Sequence, residues 1–255
     1  MWLTRLKAQK EHPIEVFQKM RIMLLAGPPF GPRFWDGVIA RLEKHGHQAV
    51  SLNPFKNVGM FEDVVTEISK ELMDTDVLVA HGSAVPAALA VAADRKLKAL
   101  VLSNGPTDKA DMFTRTFSKL PIILRKLIMK PPWFFRFLKS SAGLRRLVVN
   151  PYVMDHDTVV TVCSTLDSGG GELQNYARYL GVFSDNLPPK KSLAEAHILI
   201  WGDPDVLYPN SEADLLSSIL KNARHIEIPG GKHLHPIERP WAMADAIDSS
   251  IESRP

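Results

Sequence analysis

Short runs of apolar, often β-branched residues alternate along the chain with longer segments in which apolar residues recur at helical spacing. The runs end at Gly, Pro or Asn, and this alternation is typical of a parallel sheet covered by helices on both faces. The pattern therefore predicts an α/β protein with a mostly parallel, doubly wound sheet. Strands are predicted at 21–27, 49–52, 77–80, 98–103, 196–201 and 225–228, and helices at 35–44, 61–73, after 83 to about 95, and 240–251.

This alternation stops between residue 106 and about residue 191. The segment is instead divided into short helical pieces by Pro121, Pro131, Pro132, Pro151 and three consecutive glycines at 169–171. Connections of such length without secondary structure are uncommon. We therefore predict an inserted helical cap at residues 106–191, on a core formed by residues 1–105 and 192–255.

Length and composition favour one α/β domain with such an insertion, because 255 residues with 45% apolar side chains can bury a large core. The single cysteine, Cys163, excludes an internal disulfide framework and leaves too few thiols for a structural zinc site. We expect no metal and no cofactor. Residues 1–19 lack the long apolar segment of a signal peptide, and no other run reaches membrane-spanning length without charges, so we expect a cytoplasmic protein.

Positive charge is concentrated in the predicted cap. The whole chain has a net charge of only +3, yet residues 112–154 contain nine Lys or Arg and no Asp or Glu. Apolar residues are interleaved with these charges, so we predict a cap that encloses a chamber for a small apolar substrate and has a cationic outer surface. That surface suits an acidic carrier protein, a coenzyme A ester or an anionic membrane. Nucleic acid is not expected, because no recognised binding motif accompanies the charge.

The segment at residues 77–91 combines a predicted strand, a tight turn and an Ala-rich helix. Within it, residues 80–84 (AHGSA) resemble the nucleophile elbow of α/β-hydrolases, in which small residues flank the nucleophile because the turn is so tight. The residue at the nucleophile position is Gly82. A frame shifted by one residue would make Ser83 the nucleophile, but it would put His81 and Val85 at the small positions. The segment alone is also compatible with a buried strand and helix that form no site.

Three further blocks extend this resemblance to the α/β-hydrolase superfamily over nearly the whole chain after residue 20. Residues 24–42 are similar to the family's first strand, HG-x-P loop and following helix. Residues 198–209 (ILIWGDPDVLYP) match the G-x-x-D-x-x-x-P turn, which places the triad acid on Asp205. Residues 226–240 match the I-P-G-x-x-H segment, which places the triad base on His233. The resemblance implies the α/β-hydrolase fold with a helical cap.

In such enzymes a serine attacks a carbonyl, a histidine takes its proton, an acid orients the histidine, and two backbone N–H groups bind the oxyanion. This chain departs from that pattern. Gly82 has no side chain to attack with, Ala26 replaces the histidine of the HG pair, and Pro28, at the position of one oxyanion donor, has no N–H. The remaining donor is the backbone N–H of Ser83, and ordinary acyl-enzyme hydrolysis is not expected.

The retained acid and base indicate a different use of the site. Asp205 can hold one imidazole nitrogen of His233 and leave the other as a base facing the pocket. The space at Gly82 then admits a substrate atom or a water beneath that imidazole. The pair could also persist only as a hydrogen-bonded remnant in a protein that binds a ligand.

Four other residues are predicted to contact the substrate: Ser83, Pro28, Asn104 and Trp133. Asn104 follows a strand end that faces the site, and Trp133 belongs to the apolar part of the cap. His81, at the variable position of the elbow, is expected behind the site. Lys232 and His235 are expected on an exposed loop beside the base.

The preferred hypothesis is a non-hydrolytic enzyme of this fold, a lyase, isomerase or cyclase. His233, oriented by Asp205, would abstract a proton from an apolar carbonyl-bearing substrate. Family members that act as lyases, cofactor-free oxygenases or biosynthetic cyclases are the precedent. Two alternatives remain open: an ester or thioester hydrolase that uses an activated water or Ser83, and a catalytically silent ligand-binding protein.

Overall fold

A computed structural model describes residues 19–74, 76–107, 110–129, 133–164, 171–182 and 191–252. The sequence predictions for the N-terminal stretch 1–18, for Lys130 and the prolines at 131 and 132, and for the glycines at 169 and 170 lie outside the described residues.

Six parallel strands form one sheet in the order β2-β1-β3-β4-β5-β6. The strands are β1 (Arg21–Ala26), β2 (Gln48–Leu52), β3 (Val77–His81), β4 (Ala99–Ser103), β5 (Ala196–Asp203) and β6 (Arg224–Pro229). β1 pairs with β2 on one side and with β3 on the other, so the chain reverses its winding direction after β2. The predicted parallel, doubly wound sheet is confirmed.

Helices cover both faces of the sheet. They are α1 (Asp36–Lys44), α2 (Phe61–Glu71), α3 (Val85–Asp94), α4 (Met112–Ser118), α5 (Ile122–Ile128), α6 (Trp133–Leu138), α7 (His156–Val162), α8 (Gly171–Val182), α9 (Asn210–Ile219), α10 (His235–Glu238) and α11 (Pro240–Glu252). Crossovers between parallel strands are right-handed, so the reversal after β2 puts α1 on the opposite face from α2 and α3. Accordingly, α1 packs against α11, and α2 packs against α3.

The central strands form the most deeply buried layer. Every residue of β3 and β4 is buried, whereas the edge strands β2 and β6 keep exposed positions. Strands covered on both faces are continuous apolar runs, which is why the sequence predicted them well. The sequence did not predict α9, in which only Ala213 and Leu216 are buried, because that apolar stripe is sparse.

Between β4 and β5 the described residues form the helices α4 to α8 and no strand. Tyr176 and Tyr179 on α8 donate hydrogen bonds to the carbonyl oxygens of Phe30 and Ser83, at 3.1 and 2.7 Å, and so tie this segment to two loops of the core. Whether the cap begins at residue 106 and ends at residue 191 stays a prediction. Within the described part of the chain, none of the helices combines the length and apolar character that crossing a membrane requires.

Candidate active site

Loops from four strands meet at the carboxyl edge of the sheet. They follow β1, β3, β5 and β6 and carry Pro28, Gly82, Asp205 and His233, respectively. The winding reverses between β1 and β3, and ligands of open α/β sheets bind in the crevice at such a reversal. The topology therefore brings residues from distant parts of the sequence to one place.

The turn after β3 has a left-handed backbone at Gly82, with a φ of 60°. A short 3-10 helix (Gly82–Ala84) follows and continues into α3. Glycine adopts this conformation without steric strain, whereas a side chain there is strained. A Cβ built on Gly82 would lie 3.7 Å from Nε2 of His233, which is ordinary van der Waals contact. A side chain at position 82 would therefore point toward the imidazole of His233.

His233 and Asp205 form a buried hydrogen-bonded pair. Nδ1 of His233 donates to Oδ2 of Asp205 at 2.8 Å, which leaves Nε2 as the basic nitrogen near Gly82. Burial alone would disfavour the carboxylate, but the charge of His233 and hydrogen bonds from His233, Leu207 and Asn104 lower the pKa of Asp205 below its usual value. Asp205 is therefore an anion that orients the imidazole and stabilises its protonated form.

Asn104 holds Asp205 in place. It lies at the end of β4 with a φ of 39°, a left-handed conformation that Asn tolerates better than most residues. Its amide pairs with both backbone groups of Gly202, which directs Nδ2 to Oδ2 of Asp205 at 2.7 Å. The side chain is fully buried and does not line the chamber described below. The predicted contact of Asn104 with a substrate is thus replaced by a contact with the acid.

Two further histidines lie behind this pair. Burial, together with the charge of His233, lowers the pKa of His81 well below its usual value and the pKa of His235 to about 3. Both rings are therefore neutral at ordinary pH. The expectation that His235 is exposed is wrong, because α10 begins at this residue and buries its ring, with Nε2 3.0 Å from Oδ1 of Asn104. Lys232 is half-buried.

The neutral His235 makes the fold sensitive to acid. In the unfolded chain this histidine takes up a proton near pH 6.5, but in the folded protein only near pH 3. Its contribution to stability is therefore complete above pH 6.5 and is lost as the pH falls toward 3. From pH 6.5 to about pH 5 the free energy of unfolding should fall by about 2 kcal/mol through His235 alone. Urea unfolding at about pH 7.5 and about pH 5 measures this loss, which His235→Gln should reduce.

The exposed His225 on β6 provides the matched control for this experiment. His225→Gln should keep the pH dependence of the native chain. If His235→Gln showed that same dependence, acid would act elsewhere in the fold.

Ser83 directs its hydroxyl to the loop after β1. Its Oγ donates to the carbonyl oxygen of Pro28 at 3.2 Å, and among the described residues it makes no hydrogen bond with His233. This loop lies so close to the turn that a Cβ at Gly27 would collide with the Ser83 side chain. The hydrogen bond to Pro28 and the close approach of Gly27 hold the Ser83 hydroxyl against this loop.

An apolar chamber of about 130 Å³ lies above Gly82 and His233. An apolar cavity of about 150 Å³ takes up a benzene molecule, so the chamber suits a small ring or a short alkyl group. Its walls combine loops of the core with residues that follow β4, including Pro28, Ser83, Phe117, Phe134, Leu138 and Leu144.

The structure does not place Trp133 in this chamber. Its side chain is 71% exposed, whereas Phe134 and Leu138 of the same helix are buried and line the chamber. Because α6 turns Phe134 and Leu138 inward, Trp133 points to solvent. Its predicted contact with a substrate inside the chamber is therefore not formed.

Tyr208 and Asp111 also line the chamber, and the sequence pattern did not indicate either residue. The Tyr208 hydroxyl donates to Oδ2 of Asp111 at 3.0 Å, and burial together with this carboxylate raises the pKa of Tyr208 well above its usual value. Tyr208 therefore stays protonated. One signal could have revealed it, since Tyr208 lies three residues after Asp205 in the same sequence block.

Comparison with solved structures decides the fold. An esterase from Thermogutta terrifontis matches with a TM-score of 0.71 at 15% identity over 92% of each chain. A haloalkane dehalogenase from Bradyrhizobium elkani matches with a TM-score of 0.71 at 15% identity, over 92% of this chain and 90% of the other. The chain has the α/β-hydrolase fold. No family model matches the sequence, and a search of curated proteins found no significant match.

A bromoperoxidase from Bacillus anthracis has the same α/β-hydrolase fold, with a TM-score of 0.69 at 12% identity over 92% of this chain and 93% of the other. The fold predicted from four sequence blocks is thus confirmed. In the α/β-hydrolase fold a strained turn between strand and helix presents the reactive group above the sheet. In this chain, the turn that leads from β3 into α3 begins with Gly82.

Proposed function

We propose that the chain is an enzyme of non-hydrolytic type, a lyase, isomerase or cyclase, in which His233 is the general base and Gly82 occupies the vacated position of the nucleophile. One observation carries the proposal: the buried pair of Asp205 and His233 directs its basic nitrogen past Gly82, which has no side chain, and into an apolar chamber. A substrate atom can take the place that a serine hydroxyl would otherwise fill.

The proposed reaction begins with removal of a proton next to the substrate carbonyl. The lone pair on Nε2 of His233 takes the proton, the C–H electron pair becomes that of an enolate, and Asp205 stabilises the imidazolium. The Ser83 N–H lies in the first turn of the 3-10 helix, where no acceptor exists within that helix, so it is available to the enolate oxygen. The enolate then expels a leaving group from the neighbouring carbon, which departs with the proton of His233, or it takes that proton back at another carbon. Alternatively it attacks a second carbonyl carbon of the same substrate, whose oxygen receives the C=O electron pair and the proton from His233.

A proton-abstraction probe tests the proposal without the natural substrate. In 5-nitrobenzisoxazole, removal of the ring C–H proton forms a nitrile, breaks the N–O bond and releases a coloured phenolate. We expect the native chain to exceed an equal concentration of free imidazole by about 100-fold or more, and Asp205→Asn to lose most of that advantage because the imidazolium is no longer stabilised. The absorbance of the phenolate measures both rates.

Calorimetric binding of the same probe is the control, since Asp205 does not line the chamber. Affinity retained with the rate lost supports an enzyme. A native rate no higher than that of free imidazole would instead favour a ligand-binding protein.

Hydrolysis by an activated water is the second candidate, and the fold shared with an esterase and a dehalogenase favours it. A water above Gly82 would lose a proton to Nε2 of His233 while its oxygen attacks an ester carbonyl; the C–O bond to the alcohol would then break, and the alcohol would leave with that proton. Attack by Ser83 is disfavoured by the hydrogen bond of its hydroxyl to Pro28. Release of p-nitrophenol from p-nitrophenyl acetate by the native chain would support the water mechanism over proton abstraction.

A further inference from the structure

Helix α5 carries aliphatic side chains on the outside of the protein. Ile123 and Leu127, one helical turn apart, are 75% and 61% exposed, and Leu124 and Ile128, the next pair at that spacing, are each 44% exposed. Contiguous exposed apolar surface marks interaction sites in folded proteins. These four residues are called the α5 stripe below.

The opposite side of α5 is fixed to α8, so the helix cannot bury the α5 stripe by rotating. Arg125 donates from Nη1 to the carbonyl oxygen of Ala177 at 2.7 Å, and its guanidinium packs where a Cβ on Gly181 would lie. Met129, directly after the helix, is 1% exposed. The helix thus directs Arg125 toward α8 and four of its five aliphatic residues outward, with only Ile122 packed against the core.

Two exposed aromatic side chains lie on α6, the next helix along the chain. Trp133, at the start of α6, is 71% exposed. Phe137, one turn later, is 41% exposed and also lines the chamber. Phe137 thus belongs both to the exposed face of α6 and to the wall of the chamber.

The segment of the chain that carries α5 and α6 is basic. Arg115, Lys119 and Arg136 are exposed, and residues 112–154 contain no Asp or Glu. Aliphatic side chains with a tryptophan, flanked by Lys and Arg, are the composition of helices that lie in the interfacial region of anionic membranes. An acidic protein would match the charge, but it would have to cover the whole aliphatic stripe as well.

We propose that the α5 stripe and Trp133 dock onto the surface of an anionic phospholipid bilayer. The aliphatic residues and the indole enter the boundary between headgroups and acyl chains, and Arg115, Lys119 and Arg136 contact the phosphates. Docking in this way places Phe137, and with it the border of the chamber, next to the lipid. Binding of this kind is independent of the reaction at His233.

Sedimentation with vesicles tests the proposal. We expect the native chain to bind vesicles of phosphatidylcholine with phosphatidylglycerol, to bind pure phosphatidylcholine vesicles at least about tenfold more weakly, and to dissociate as salt is raised. The double variant Ile123→Ser with Leu127→Ser should weaken binding to anionic vesicles by at least about tenfold. Trp241→Ser is the matched control and should bind like the native chain, because Trp241 is 60% exposed but lies on α11, outside residues 106–191.

The replaced side chains are exposed, so each variant should unfold at nearly the same temperature as the native chain. Thermal unfolding checks that the fold is intact. The proposal is overturned if the native chain ignores anionic vesicles or if the double variant binds them as well as the native chain. It is also overturned if sedimentation equilibrium shows a native dimer that the double variant abolishes, since a second copy would then cover the α5 stripe.

Discussion

Replacing His233 by Ala is expected to lower the rate of 5-nitrobenzisoxazole ring opening by at least about 100-fold. The reason is local: among the three clustered histidines, His81 and His235 are held neutral by burial and do not line the chamber, whereas His233 directs Nε2 to it. Loss of the His233 ring therefore removes the base, and neither His81 nor His235 can take its place. Release of the phenolate, followed by its absorbance, gives the rate for both proteins.

Free imidazole provides the decisive control for His233→Ala. The substitution leaves a space of the size of the lost ring beside Asp205, so added imidazole should bind there and restore part of the rate. His225→Ala, on the exposed edge strand β6, should keep the native rate. Equal rates in native and His233→Ala proteins, with unchanged thermal unfolding, would show that His233 is not the base.

Gly82→Ser is expected to turn the chain into a protein that a fluorophosphonate labels covalently. A Cβ at this position lies 3.7 Å from Nε2 of His233, so the new Oγ can reach hydrogen-bonding distance of that nitrogen. The Oγ then attacks phosphorus, fluoride leaves and His233 takes the proton. A left-handed φ of 60° should reduce the free energy of unfolding by about 1 to 3 kcal/mol. Intact-protein mass spectrometry detects the adduct.

Ester turnover by Gly82→Ser should still be slow, because Pro28 cannot supply the second oxyanion donor, and one missing donor commonly lowers the rate about 100- to 1000-fold. Gly82→Ala has the same backbone strain without a hydroxyl and should stay unlabelled. Labelling of the native chain that disappears in Ser83→Ala would make Ser83 the nucleophile and refute the assignment of Gly82.

The sequence predicted the site loops better than it predicted the contacts within them. The short spacing of small residues around Gly82 indicated a tight turn, and the backbone there is left-handed. His233 and Asp205 are far apart along the chain, so local pattern does not predict that they pair. The resemblance to the α/β-hydrolases does predict it. Their 2.8 Å hydrogen bond follows from the adjacency of β5 and β6 in the sheet.

Residues around that pair were harder to place. Asn104 was assigned to a substrate because it follows a strand end, yet its amide contacts Gly202 and Asp205. The sequence predicts that His235 is exposed, because it lies beside the base on a loop, yet its side chain is fully buried. Both errors concern partners that lie far away in sequence, which local pattern cannot reveal.

The sequence by itself determined the six strands in their order along the chain, the absence of a side chain at Gly82 and the lack of an N–H at Pro28, because these depend on residue identity and local periodicity. The tertiary structure alone decided which face of α5 is exposed, that Trp133 points to solvent, and that Asn104 supports Asp205. Those outcomes depend on how separate elements pack, and a side chain lies inward or outward according to neighbours that its own segment does not contain.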